Sequence, residues 1–128
     1  AVDGAYSSLM DTKRAQISKT TKVPCMTIDE VVNSLRLDRV DFIKIDVEGF
    51  EYNALKGMAN IISRFNPVIF CEIYKGTDSN QAPDETVRFL LDRNYSAFVM
   101  REGRIFEYQR HDDSSYNYLF VPRQQPNP

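Results

Sequence analysis

The sequence has little of what several functional classes require. It contains two cysteines and one histidine among 128 residues, too few for the spacing of a zinc site or for a disulfide framework. A formal net charge of -2 lacks the positive excess of a nucleic-acid-binding protein. No apolar run approaches the ~18 residues that span a bilayer, and the first residues contain no signal-peptide core. These absences predict a cytoplasmic protein without nucleic-acid or membrane partners.

Glycine and cysteine are sparse in an informative way. The five glycines are isolated at positions 4, 49, 57, 76 and 103, so the chain has no glycine-rich loop for a phosphate or a nucleotide.

The two cysteines, Cys25 and Cys71, are expected to be small buried thiols in a reducing compartment rather than functional groups.

The length suits one domain, since typical domains have about 100–150 residues. Residues 1–128 are accordingly assigned to a single domain. Residues 1–22 have few apolar positions and no sustained period, which predicts a poorly structured lead-in. Residues 123–128 are predicted to be a frayed tail. The chain starts with Ala1, which fits either removal of an initiator Met or a start partway through a larger protein.

The first half of the chain alternates between strand and helix patterns. Residues 23–26 are a candidate strand, and Thr27 and Glu30 form a capping box that starts a helix. Residues 40–47 are rich in β-branched side chains and predict a strand buried on both faces. Helical spacing follows over residues 50–65, with Gly57 in the interior for a packing reason. Residues 68–74 predict a second buried strand.

The second half begins with a loop and a helix. Residues 75–82 are a loop by composition, and Pro83 opens a helix that ends before Asn94. Residues 96–100, 105–108 and 118–121 then predict three strands, the first two joined by a turn at Glu102 and Gly103. The alternation of strands and helices predicts an α/β fold, with a mostly parallel sheet and antiparallel closing strands.

Charged side chains follow the two buried strands. Asp46 and Glu48 end the first strand and Glu72 ends the second, so neighbouring parallel strands would bring three carboxylates to one edge of the sheet. Strand alternation places Lys44 on the face of Asp46 and, if the strand continues, of Glu48. Carboxylates gathered this closely repel each other. Lys44, a metal ion or a cationic ligand would offset this repulsion. A purely structural alternative is that Glu48 and Glu51 favour the following helix N-terminus.

Other polar residues carry weaker signals. His111 stands in a polar segment and is predicted to be a solvated surface histidine. Ser7 and Ser8 have no histidine base nearby in sequence, which gives nucleophilic catalysis no support. Arg101, Arg104 and Arg110 alternate with acids and predict a solvated face.

Residues 41–51, DFIKIDVEGFE, followed by LKG at 55–57, resemble the FkbM-type family of S-adenosylmethionine-dependent methyltransferases. That family shows a threonine-leucine-aspartate helix start, a strand close to D-x-x-K-I-D-V-E-G-x-E, and then L-x-G. Thr27-Ile28-Asp29 is similar to the first element, with Ile for Leu. Residues 7–9, 67–72 and 117–122 resemble three further pieces of the pattern.

The resemblance implies a Rossmann-like class I methyltransferase sheet, with the cofactor above the carboxyl ends of its first strands. The family's first strands and its glycine-rich cofactor loop would precede Ala1. The chain is therefore expected to be the C-terminal part of such an enzyme, inactive by itself, with no cofactor-binding residues assigned here. The strand at residues 40–47 is then expected to present an unpaired edge that invites self-association.

The implied reaction is methyl transfer from S-adenosylmethionine to a hydroxyl of a sugar or secondary metabolite. Asp46 is the first candidate for the general base, with Glu72 and Glu48 as base or acceptor-orienting partners and Lys44 tuning their charge. A divalent metal held by Asp46 and Glu72 is a further option. The competing hypotheses are a non-catalytic α/β interaction module and a different Rossmann-like nucleotide binder.

Overall fold

A computed structural model of the chain describes residues 21–74, 83–111 and 114–123. The described elements, in chain order, are α1 (Ile28–Ser34), β1 (Phe42–Ile45), α2 (Glu51–Lys56), α3 (Ala59–Phe65), β2 (Val68–Glu72), α4 (Pro83–Leu91), β3 (Tyr95–Arg101), β4 (Arg104–Glu107) and β5 (Asn117–Pro122). The predictions for residues 1–20, for the loop at 75–82, for Ser7 and Ser8 and for the tail beyond residue 123 lie outside the described residues.

The strands form one mixed sheet in the order β1-β2-β5-β3-β4. The α/β class is therefore confirmed, but the expectation of a mostly parallel sheet is wrong. Only β1 and β2 pair in parallel, whereas β5 lies antiparallel between β2 and β3, and β4 pairs antiparallel with β3. The strands β1, β2 and β3 still run in the same direction, as helical crossovers require. The returning strand β5 separates the last two of them.

One face of the sheet forms the core. Side chains from alternate strand positions pack there against α2, α3 and α4. The buried residues, all at most 5% exposed, include Ile45, Ile69, Cys71, Tyr95 and Phe120 from the strands and Leu55, Met58, Ile62, Val87 and Leu90 from the helical side. The opposite face carries half-buried Phe70, Phe98 and Leu119, and Phe42 is 57% exposed. Period-2 alternation therefore places the charged positions of β1 on the face away from these helices.

The capping box starts α1 as predicted. The Thr27 hydroxyl accepts from the Glu30 amide at 3.2 Å, and the Glu30 carboxylate accepts from the Thr27 amide at 2.7 Å. The hydrogen bonds that the Thr27 amide and the Thr27 hydroxyl donate to the Glu30 carboxylate lower the pKa of Glu30. The candidate strand at 23–26 is wrong, because these residues are exposed and belong to no strand. Pro24 has no amide hydrogen to give to a strand ladder.

The single helix expected over 50–65 is two helices, α2 and α3. Asp29 of α1 explains the break, because its carboxylate accepts from the amides of Asn60 at 3.2 Å and Ile61 at 3.0 Å. The Gly57 carbonyl in turn accepts from the Asp29 amide at 3.0 Å. A Cβ added to Gly57 would meet Thr27 at 3.5 Å, an ordinary contact. Gly57 therefore ends α2, and the expected packing constraint is weak.

Two local predictions from the second half are confirmed. Asn94 follows α4 with φ of 66°, and the β3–β4 turn has positive φ at Glu102 and Gly103 (48° and 71°). Both cysteines are free, but the prediction that both are buried is wrong for Cys25, which is exposed. Cys25 precedes α1 in an exposed segment outside the helices and strands, whereas Cys71 faces the core from β2.

Replacement of Asp29 by alanine is expected to destabilise the fold by about 1 kcal/mol, as loss of a helix N-terminal cap does. The free energy of unfolding from urea titration measures the effect. Asp38→Ala, at an exposed position, is the matched control. Equal stabilities for the two variants would contradict a capping role for Asp29.

The β1 edge is expected to cause self-association of the chain. In the described part of the chain β1 pairs with β2 alone. Since the Asp41 carbonyl accepts from the Val68 amide, strand alternation points the amide and carbonyl groups of Phe42 and Lys44 outward. Light scattering should show a mass that rises with concentration, and Phe42→Pro, which removes one outward donor, should lower it. A monomer at every concentration would contradict the expectation.

Candidate functional site

Lys44 and Asp46 lie at the carboxyl end of β1 and form an ion pair. Their side chains meet at 2.8 Å (Lys44 Nζ to Asp46 Oδ2) and are 56% and 40% exposed. The hydrogen bond to Asp46 raises the pKa of Lys44, and the charge of Glu72 adds to the effect. Lys44 is thus an ammonium at neutral pH. Water screens a pair this exposed and it adds little to stability, so its main effect is on local charge.

Glu72 ends β2 on the same face as this pair. The parallel register joins Ile45 to Cys71, so the next position along each strand places Asp46 beside Glu72. The influence of Glu72 on Lys44 supports this proximity. The structure therefore brings Lys44, Asp46 and Glu72 together at one edge, as the sequence suggested.

Glu48 reaches this edge by a different route from the one expected. The strand β1 ends at Ile45, so period-2 alternation does not extend to Glu48. Instead Glu48 and Gly49 form a tight turn with φ of 51° and 98°, closed by the Phe50 amide and the Val47 carbonyl at 3.3 Å. Left-handed backbone is uncommon for a residue with a side chain. The turn, rather than the strand, positions Glu48.

Glu51, the first residue of α2, is an additional member of this group. It is 2% exposed, and its Oε1 accepts from the Gly49 amide at 2.8 Å. Burial raises the pKa of Glu51 above its usual value, and the charges of Glu48 and Asp46 add to the rise, against a lowering by Gly49. Sequence reasoning assigned Glu51 only to the helix N-terminus. The spacing of Glu51 from Leu55, Met58 and Ile62 places it on the core side of the helical pattern.

Cys71 lies below these carboxylates in the core. The thiol is fully buried, and burial raises its pKa well above the usual value, with further contributions from Glu51, Asp46 and Glu72. The thiol therefore stays protonated and is not a nucleophile. These contributions are consistent with a position of Cys71 close to all three carboxylates.

His111 is not the solvated histidine that the sequence predicted. Its Nδ1 lies 2.6 Å from the Tyr118 hydroxyl, and the two rings stack at 12°. Arg101 is half-buried and donates to the Ser115 hydroxyl at 2.6 Å, so the solvated-face prediction fails there. That prediction holds for Arg104 and Arg110, which are exposed. The polar sequence around His111 gave no sign of its aromatic partner.

Across residues 21–74, 83–111 and 114–123, no group of three or more His, Cys, Asp or Glu side chains is placed to hold a metal ion. No helix in the same part of the chain is long and apolar enough to cross a membrane. The arrangement at the carboxyl edge is thus a set of carboxylates beside one ammonium, able to accept protons or to hold a hydroxyl or a cation.

Residues 3–97 match the methyltransferase FkbM domain. The chain belongs to this family. The matched region contains α1 to α4, β1, β2 and the start of β3, and with them Lys44, Asp46, Glu48 and Glu72.

A curated relative is the hexuronic acid methyltransferase AglP of Haloferax volcanii. The two sequences are 34% identical over 76 residues, which is 59% of this chain and 30% of the relative. The chain thus matches under a third of that relative's length. No solved structure shows a significant match to the chain.

Stability is expected to depend on pH through Glu51. A carboxyl whose pKa is raised by folding binds its proton more tightly in the folded state than in the unfolded state. The free energy of unfolding therefore falls as pH rises above the unfolded value near 4.5 and through the folded pKa. Glu51→Gln should reduce this slope in urea titrations over that window, whereas Glu85→Gln, at an exposed site in α4, should not. Identical slopes for wild type and Glu51→Gln would contradict the assignment.

Proposed function

We propose that this chain is part of an S-adenosylmethionine-dependent methyltransferase that methylates a hydroxyl of a sugar or secondary metabolite. The match of residues 3–97 to the FkbM methyltransferase domain carries the proposal. The name of the curated relative, a hexuronic acid methyltransferase, supports a sugar-type acceptor. The two free cysteines are consistent with action in the reducing cytoplasm.

The strand directions support a Rossmann-like class I arrangement. The strands β1, β2 and β3 run in the same direction, so their carboxyl ends meet at one edge, where ligands of open α/β sheets bind. The acidic group of Asp46, Glu48, Glu51 and Glu72 lies at this edge. We expect the cofactor above it, with sequence outside this chain completing the cradle.

The charges at the edge fit a cationic group. Several carboxylates stand beside one ammonium, so a positively charged sulfur is favoured there electrostatically. S-adenosylmethionine, when bound, supplies a methyl group on such a sulfur. No glycine-rich turn for a close backbone approach occurs in the sequence, which is why the chain alone is expected to hold the cofactor weakly.

The proposed catalytic roles centre on Asp46. Its half-exposed carboxylate would accept the proton of the acceptor hydroxyl as that oxygen takes the methyl group that S-adenosylmethionine would supply. Glu72 and Glu48 orient the acceptor. Lys44 holds Asp46 at 2.8 Å and limits the repulsion between the carboxylates.

The alternative is a non-catalytic α/β module derived from a methyltransferase. The absence of a glycine-rich loop from the sequence favours it. Binding separates the two proposals, since a module without catalysis has no requirement for S-adenosylhomocysteine.

Asp46→Asn is expected to lower kcat by about 10²–10⁴, the usual contribution of a positioned general base. The assay measures transfer of a labelled methyl group to sugar acceptors by the longest natural protein that contains this chain. Glu107→Gln, at an exposed site on β4, is the control and should leave the rate unchanged. Absence of transfer by the wild type, with no calorimetric heat from S-adenosylhomocysteine, would contradict the proposed function.

A further inference from the structure

A buried carboxyl beside other carboxylates needs a reason. Glu51 is 2% exposed, and Leu55 of the same helix and Cys71 of β2 are fully buried. Removing such a group from water is costly unless it makes hydrogen bonds. Its position as the first residue of α2 would suit an exposed carboxylate equally well, so the helix N-terminus alone does not explain the burial.

The contact of Glu51 with the preceding turn supplies the reason. Its Oε1 accepts from the Gly49 amide at 2.8 Å, a distance typical of a strong hydrogen bond to a carboxylate. The same turn holds Glu48 at φ of 51° and Gly49 at 98°. A residue with a side chain keeps the left-handed conformation only where its surroundings enforce it. Glu51 is the buried group that bonds to this turn from the start of α2.

We propose that Glu51 is a positioning residue whose bond to the Gly49 amide locks the turn that places Glu48 at the carboxyl edge. That this edge is an active site rests on the proposed function; the lock itself rests on the geometry. Glu51 is not expected to contact the acceptor, because its side chain is buried behind the turn. It acts through Glu48.

The charges of neighbouring carboxylates also affect Glu51. The charges of Glu48 and Asp46 raise the pKa of Glu51, in addition to the larger effect of burial. Glu51 thus shares the edge with two other carboxyls, and folding makes it easier to protonate. The groups that influence the pKa of Glu51 are Glu48, Asp46, the Gly49 amide and the amide of Glu51 itself, and the Cys71 thiol of β2 is affected by the charge of Glu51. The Gly49 amide therefore reports on the ionisation of its acceptor.

The test is amide NMR of the 128-residue chain with two variants. Glu51→Gln keeps an acceptor oxygen, whereas Glu51→Ala removes it. We expect exchange of the Gly49 amide with solvent to be about tenfold faster in Glu51→Ala, as for loss of one ordinary hydrogen bond, and the coupling constant that reports φ of Glu48 to change. Glu51→Gln should restore both values. Glu85→Ala, at the exposed first turn of α4, should change neither.

A pH titration keeps the proposal testable even if Glu51→Ala does not fold. In the wild type the Gly49 amide shift should follow a midpoint above the usual glutamate value of 4.5, and this step should be absent from Glu51→Gln. An unchanged Gly49 amide in the alanine variant, or an identical titration in Glu51→Gln, would overturn the lock. Failure of S-adenosylhomocysteine to bind would count against the proposed function only, because these readouts need no ligand.

Discussion

The parallel pairing of β1 with β2 is the constraint on which the rest of the site depends. Its register joins Ile45 to Cys71, and one position further along each strand it sets Asp46 beside Glu72. A slip of one residue would turn Lys44 and Asp46 towards the core and expose Ile45. Burial of Ile45 and Cys71 therefore fixes the charged residues at the edge. The core and the candidate chemistry are specified by the same register.

The helices that follow β1 depend on a contact between residues that are far apart in the sequence. The turn at Glu48 and Gly49 reverses the chain so that α2 can return over the core. The Asp29 carboxylate then accepts hydrogen bonds from the amides of Asn60 and Ile61 at the start of α3. These bonds separate α3 from α2. A residue of α1 thus decides where a helix 30 positions later begins.

Features encoded by neighbouring residues could be predicted from the sequence. The capping box at Thr27 and the β3–β4 turn at Gly103 each depend on a few adjacent side chains, so local patterns sufficed. The break between α2 and α3 could not be predicted, because Asp29 acts across a large separation in sequence. The position of β5 between β2 and β3 is likewise set by packing. The sequence patterns of these strands do not predict it.

The candidate site divides in the same way. Lys44, Asp46 and Glu72 follow from strand alternation and from the rule that carboxyl ends of parallel strands meet. Glu48 needed the turn geometry, which strand patterning does not contain. Glu51 was detectable in principle from its helical spacing, but its charge suggested an exposed position. The hydroxyl that contacts His111 belongs to Tyr118 of β5. The sequence of this strand gave no sign of a polar contact.

The location of the bound cofactor tests the central claim most directly. A crystal structure of the longest natural protein containing this chain, soaked with S-adenosylhomocysteine, would show where the sulfur lies. The account predicts the sulfur above the carboxyl ends of β1 and β2, on the side of Asp46 and Glu72. Density elsewhere, for example in the groove between Tyr52 and Phe89 of α2 and α4, would contradict it.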